Sequence, residues 1–447
     1  MQENCKNLIL LNHSDNLFAE EILDEKYVNT ISKIINKYYM SLKKNVESMN
    51  FEELIPALLA LGEGYQFFVD KNEWNVIVNS LMIKIRNEIY QNKMEGSLSL
   101  YGGLSDIGFS VLSISKNTDI YNKFLESLND LICCNIDYYL DYLYNNFENL
   151  SMPHYDTVKG AAGLLRYLIE FNSEVVEEKC KKLLEYLVFL TKDREIFENI
   201  FVPGWYIKQK NHFDVDKNMY PNGSVNMGIS HGIAGPLVAL SLAYEKGIVV
   251  DGQLEAINKI TYEYEKMVVY THDGYPYWAS MLSIDDYIKE NWKVALLNKR
   301  MSWCYGSIGV LMALKIGFRC TNNYKKTLSV NEELQMVLQM QRNEYCLDSA
   351  CLCHGYSGIL MALMCQYRES PDTNMKSIIN LYLRLILEYY DETATYGFYE
   401  IEKYYCDGKL VNKQQDSNGL LTGATGIILS IISVFKELDY EKHLLIK

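Results

Sequence analysis

Two patterns of apolar residues alternate along this chain. In the first, apolar side chains recur at helical spacing among polar ones. Val76, Val78, Leu81, Ile83 and Ile85 do so within residues 75–90. Val175, Val176, Leu183, Leu184, Leu187 and Leu190 repeat it within 175–190, and Ile378, Ile379, Leu381, Leu383, Leu385 and Ile386 within 375–390. Such stretches predict amphipathic helices with one wet face. In the second pattern, a Gly-x-x-Gly pair opens a run that is apolar nearly all round. Gly160/Gly163 leads into Leu164–Ile169, Gly232/Gly235 into Pro236–Leu242, and Gly306/Gly309 into Val310–Leu314. Gly355/Gly358 leads into Ile359–Met364 and Gly423/Gly426 into Ile427–Phe435, while Gly103 to Gly108 precede Phe109–Ile114. Runs of that composition predict helices buried on all sides.

The first glycines lie 49 to 74 residues apart, a repeat with variable insertions. Outer amphipathic helices alternating with inner apolar ones predict an all-α fold, an α/α toroid. Its inner helices point the same way and gather their glycine turns at one end. A repeat architecture can run to this length as one body, so one domain over 1–447 is expected. The chain before Asn75 reads as helical without a Gly-x-x-Gly turn, which makes an incomplete or divergent first repeat. Residues 197–227, 272–301 and 393–420 are loops rich in Tyr, Trp, Gly, Asn and Asp. Phe398–Tyr404 alternates like a strand and Asp407-Gly408 is a hairpin signal, so short β-ribbons are expected there, at a functional rim.

Composition narrows the function classes. A net charge of -14 disfavours nucleic acid and anionic lipid as partners. No basic segment followed by an apolar one opens the chain, and no apolar run is long enough to span a membrane, so the cytoplasm is the expected compartment. The 11 cysteines are scattered and odd in number, which favours thiols and metal ligands over a disulfide framework. Cys133, Cys134, Cys180, Cys320 and Cys365, like Cys5, read as buried small hydrophobes.

The chemistry clusters at the glycine turns. Trp303-Cys304-Tyr305-Gly306 and Cys351-Leu352-Cys353-His354-Gly355 place cysteine and histidine just before a helix start. Cys304, Cys353 and His354 form a Cys₂His set, which leaves a zinc ion one open tetrahedral position. A thiol bound there ionises at neutral pH. Cys351 paired with Cys353 is the alternative. Ser230-His231-Gly232 carries histidine in what reads as the Cys304 slot, as a fourth ligand or a general acid/base. Asp156 is either a helix N-cap or a carboxylate pairing with His231. Arg300 either balances charge at the site or makes a surface salt bridge. His212 and His272 read as surface or rim histidines, and Cys346 and Cys406 have no supporting context.

At these motifs the sequence resembles the lanthionine synthetase C-like family, the LanC-type cyclases of lantibiotic biosynthesis. The resemblance runs from about Gly102 to Phe435. It implies a toroid of about seven inner helices, with zinc on Cys304, Cys353 and His354. It implies His231 and Asp156 as acid/base groups, with Arg300 and Tyr305 lining the site. Asp106 departs from the family pattern, standing where a second glycine is usual. The length resembles the free-standing cyclases. The implied reaction joins cysteine thiols of a dehydrated precursor peptide to dehydroalanine or dehydrobutyrine. A separate dehydratase makes those residues, and the resemblance implies that dehydratase and an exporter are partners in a membrane-associated assembly. Rival functions are a LanC-like protein that binds or adds glutathione, a scaffold with structural zinc, and a glycoside-processing α/α barrel. The last needs two facing carboxylates, and Asp156 has no evident partner.

Overall fold

A computed structural model describes residues 25–91, 97–197, 199–297, 299–340, 345–406 and 409–447. It is mostly helical. Helices with one buried face are α1 (Glu25–Asn45), α3 (Lys71–Tyr90), α5 (Asn122–Asn145), α7 (Glu174–Leu190), α9 (Gln253–Met267), α12 (Tyr324–Leu338) and α14 (Thr373–Leu387). Between them stand α2 (Phe51–Gly64), α4 (Leu104–Thr118), α6 (Ala161–Leu168), α8 (Ala234–Glu245), α11 (Ser307–Cys320), α13 (Tyr356–Glu369) and α15 (Ala424–Ile432). These are buried almost throughout; in α8 every residue from Ala234 to Ala243 is. The short α10 (Ile284–Ile288) lies in an insertion. Alternation of the two helix types is thus present.

The faces differ from the expectation in detail. α3 buries Trp74, Ile77, Val78, Leu81, Met82 and Ile85, a clean i, i+3/i+4 stripe. Val76 and Ile83 fall off that stripe and are 66% and 61% exposed. Val175 and Leu381 are likewise exposed, on the wet sides of α7 and α14. A helix turns 100° per residue, so an apolar neighbour one position away points elsewhere. The divergent first repeat is α2. Instead of a glycine pair it starts with a capping box, the Asn50 side chain accepting from Glu53 N–H and Glu53 accepting from Asn50 N–H. Its residues from Leu54 to Gly64, apart from Pro56, are buried, so it is the seventh largely buried helix among the described residues.

The second glycine has the same steric reason in three of the turns. A Cβ on Gly163, Gly309 or Gly426 would sit 2.0, 2.0 or 1.9 Å from the carbonyl oxygen of Thr157, Trp303 or Leu420. Each of those oxygens belongs to the residue three before the first glycine of its own turn. The loop folds back onto the helix start so tightly that no side chain fits. Gly306 also has φ of 96°, a left-handed conformation.

The helices pack as two compact units. One holds α1 to α3, the Phe109–Asn122 segment, and Leu347–Tyr440 with α13 to α15. In it α15 packs on α2 and α13. The other holds Gly96–Gly108, Lys123–Cys346 and Glu441–Lys447. In it α6 packs on α8 and α8 on α11. Expected ribbons are present as two-stranded antiparallel pairs. β1 (Arg194–Phe197) pairs with β2 (Ile200–Val202), and β4 (Val269–Tyr270) with β5 (Pro276–Tyr277). β3 (Ser224–Asn226) pairs with β6 (Met281–Ser283), joining two insertions the sequence keeps apart. β7 (Tyr399–Cys406) and β8 (Lys409–Asp416) pair with Cys406 opposite Lys409. Their Asp407-Gly408 connection lies outside the described residues.

Candidate functional site

The loops before the buried helices are stitched to one another through their backbones. Thr157 N–H donates to Ser230 O at 3.1 Å, and Thr157 Oγ1 donates to Ile229 O at 2.6 Å. Ile229 N–H donates in turn to Cys304 O at 3.1 Å. The turns ahead of α6, α8 and α11 therefore lie side by side. In the other unit a similar stitch, shifted by one residue on the donor side, joins Cys353 N–H to Leu421 O at 2.8 Å, linking the turns ahead of α13 and α15. Counted back from the first glycine of each turn, the loops align residue by residue. Cys304, Ser230 and Cys353 stand two before the first glycine of their turns. His231, Tyr305 and His354 stand one before it.

That alignment corrects the slot expected for His231. Its counterparts are Tyr305 and His354, while Ser230 is the counterpart of Cys304. One residue of offset sends a side chain in a different direction, so a shared motif outline does not mean a shared orientation.

Asp156 serves both readings offered for it. Its side chain is completely buried. Oδ1 accepts from Lys159 N–H at 2.7 Å and Gly160 N–H at 2.9 Å, closing the turn at the α6 start. Oδ2 accepts from His231 Nδ1 at 2.7 Å. The carboxylate fixes the tautomer and leaves Nε2 as the outward nitrogen of a ring whose side chain is 30% exposed. Phe213 packs edge-on to that ring, centroids 6.0 Å apart.

Around Cys304 the turn is tied by Ser302, whose hydroxyl donates to Tyr305 O at 2.9 Å and lies 3.4 Å from Cys304 Sγ. Tyr305 packs against Gly228, where a Cβ would meet its ring at 2.4 Å. Burial pushes the Tyr305 phenol well above its ordinary range, so it stays protonated at neutral pH. Its oxygen accepts from Asn226 Nδ2 at 3.1 Å. The Arg300 backbone is pinned by the buried Tyr277 hydroxyl, and its side chain is exposed. Among the described residues Arg300 makes no ion pair.

Cys304, Cys353 and His354 come together. Their ligand atoms lie within 4.8 Å of one another, Cys304 buried and the other two half-buried. Two thiols and an imidazole within that span suit a thiophilic ion such as zinc. Neither His231 nor Cys351 belongs to this group among the described residues. Cys351 is four before its glycine, the position of Asp156 and Ser302, and its sulfur lies 3.3 Å from Ser349 Oγ. Elsewhere burial pushes the thiols of Cys133, Cys180 and Cys320 up to about 11, 12 and 11, so they stay protonated. Cys134 is exposed and Cys365 half-buried, against the expectation for both, and Cys5 lies outside the described residues. The cysteines that the structure describes form no disulfide.

Lanthionine synthetase C-like protein is the family whose model matches this chain, over residues 55–445. The chain belongs to the lanthionine synthetase C-like family. It is 28% identical over 397 residues to nisin biosynthesis protein NisC of Lactococcus lactis subsp. lactis, covering 83% of this chain and 88% of that protein. Among solved structures it is similar to nisin cyclase, with a TM-score of 0.74, 24% identity, and coverage of 95% of this chain and 98% of that one. The fold is accordingly that of a LanC-like helical toroid.

Two site features lay beyond sequence reasoning. Asn226 is fully buried beside Tyr305, in a stretch with no motif of its own. His212, expected at the surface or rim, is buried, with Nδ1 3.0 Å from Lys208 O and Nε2 2.8 Å from Ser224 Oγ. A histidine at spacing 12 from a serine gives no local signal. His272 is fully exposed, as expected of a rim residue.

Proposed function

We propose that this protein is a zinc-dependent lantibiotic cyclase. It closes lanthionine and methyllanthionine rings in a dehydrated precursor peptide. The observation that carries the reading is the Cys304–Cys353–His354 donor set in a chain of this family. The name of its relative NisC, a nisin biosynthesis protein, supports the same activity.

Cys304, Cys353 and His354 would hold the zinc ion, which when bound supplies a Lewis acid that favours the ionised form of a peptide thiol. The reaction itself is an addition. A carbon–sulfur bond forms at the β-carbon of the dehydro residue, the carbon–carbon π bond breaks, and a proton ends on the α-carbon. The thiol's proton needs a carrier. His231 is suited to that task, because Asp156 holds its Nδ1 and leaves Nε2 to take the proton and return it. Asp156 also stabilises the imidazolium while it exists. Arg300 and Tyr305 complete the site as groups that offer positive charge and an O–H donor to the developing enolate. No oxidant or reductant is required.

The partner is a precursor peptide already dehydrated by a separate dehydratase, and an exporter is a further candidate for the assembly. No described helix is long and apolar enough to cross a membrane. We place the activity in the cytoplasm, where thiols remain reduced. The test is to incubate the protein with a dehydrated precursor peptide, with and without a chelator. Free thiols are then counted by alkylation and mass spectrometry. Loss of thiols without change in peptide mass, abolished by chelation, is the expected result. Thiols that persist at the uncatalysed rate would overturn the reading.

A further inference from the structure

The side chain of Asn226 sits at the end of β3, fully buried, with every polar atom engaged. Oδ1 accepts from Gly228 N–H at 3.0 Å. Nδ2 points one hydrogen at Tyr305 Oη, 3.1 Å away, and the other at Met152 Sδ, 2.9 Å away. The amide cannot be turned round, because its NH₂ would then face the Gly228 N–H, donor against donor. The direction of the bond to Tyr305 is therefore decided: the asparagine donates and the phenol oxygen accepts.

A phenol oxygen that accepts keeps its own hydrogen for another acceptor. Among the described residues no acceptor takes that hydrogen. The ring cannot swing to find one, since it lies against Gly228 with no room for even a methyl group between. Tyr305 is also the residue next to Cys304, one member of the donor set.

We propose that Asn226 is a positioning residue that aims the Tyr305 O–H at the substrate, where it donates to the carbonyl oxygen of the dehydro residue. When sulfur attacks the β-carbon, the displaced electron pair moves onto that oxygen, and a donor fixed in advance stabilises the charge as it develops. Asn226 acts through Tyr305 and touches no reacting atom. This role rests on the cyclase reading above.

Asn226→Asp tests it. The aspartate keeps the size of the side chain and still accepts from Gly228 N–H. Its second oxygen, where Nδ2 stood, accepts from the Tyr305 hydroxyl and draws the hydrogen away from the substrate. With zinc content held equal, kcat for thiol consumption is expected to fall about 10²-fold with KM unchanged, the same effect expected for Tyr305→Phe. In the Tyr305→Phe background the same Asn226→Asp change is expected to cost less than about twofold more, because the group it acts through is gone. Full multiplication of the two effects, or an Asn226→Asp enzyme at the wild-type kcat, overturns the proposal. Should Asn226→Asp not fold, Tyr305→Phe alone decides: it removes one hydroxyl, and a wild-type kcat there overturns the proposal too. A wild-type protein that consumes no peptide thiol is a different failure, that of the cyclase reading, seen before any variant is made.

Discussion

The turn ahead of α11 and the turn ahead of α15 have one backbone and two chemistries. In both, the residue three before the first glycine lays its carbonyl on the second glycine, Trp303 on Gly309 and Leu420 on Gly426. In both, the carbonyl two before the first glycine accepts a hydrogen bond from a neighbouring turn, Cys304 from Ile229 and Leu421 from Cys353. Yet the positions that carry Cys304 and Tyr305 in one carry Leu421 and Thr422 in the other. The repeat supplies a rigid place to hang a side chain; the site arises where particular loops hang sulfur, imidazole or carboxylate there. Repetition is a property of the scaffold, and function is a property of its exceptions.

The sharpest way to break that comparison is at the matched pair itself. Cys304→Ala is expected to lose bound zinc and all catalysed thiol consumption together, measured by metal analysis after dialysis and by peptide alkylation. Next in size, His231→Ala keeps its zinc while ring closure slows by about 10²- to 10⁴-fold, read from single-turnover mass spectrometry. An equal zinc loss in both variants would mean that His231 belongs to the metal set after all. Asp156→Asn separates the two tasks of one side chain. Its remaining oxygen still closes the α6 turn, so urea unfolding should change little. The charge partner of His231 is lost, and the rate should fall by about 10- to 100-fold. Gly309→Ala and Gly426→Ala probe the common scaffold. Each forces a methyl group onto a carbonyl oxygen, and each should cost about 1–3 kcal/mol in denaturant unfolding, by similar amounts. The smallest effect is Leu421→Ala, a change at the Cys304 position of the other turn, which leaves zinc content and rate at wild-type levels.

Part of this was legible in one dimension. Helical periodicity marked α3, α7 and α14, and glycine-bearing turns marked six of the buried helices, because both signals are local consequences of chain geometry. Asp407-Gly408 marked the strand pair β7–β8 for the same reason. α2 was missed as a glycine repeat because it uses a capping box, a different solution to the same unsatisfied helix start. The stripe of α3 was misread at Val76 and Ile83 because apolar residues one position off a face look alike in sequence. At the site, residue type was enough to pick out Cys304, Cys353 and His354. It was not enough to tell Cys351 from Cys353, both cysteines in a single loop.

Residue types and their spacing along the chain therefore determined the helices, their buried or half-buried character, and which side chains had metal or proton chemistry to offer. Only the tertiary structure decided which of these meet. His231 finds Asp156 across 75 positions, and Asn226 finds Tyr305 across 79. Such partners are chosen by the backbone stitches between neighbouring turns, and those contacts form only when the buried helices pack. Local propensity acts over a few residues and cannot carry that information; close packing can, because it admits one alignment of the loops and excludes its neighbours by steric conflict.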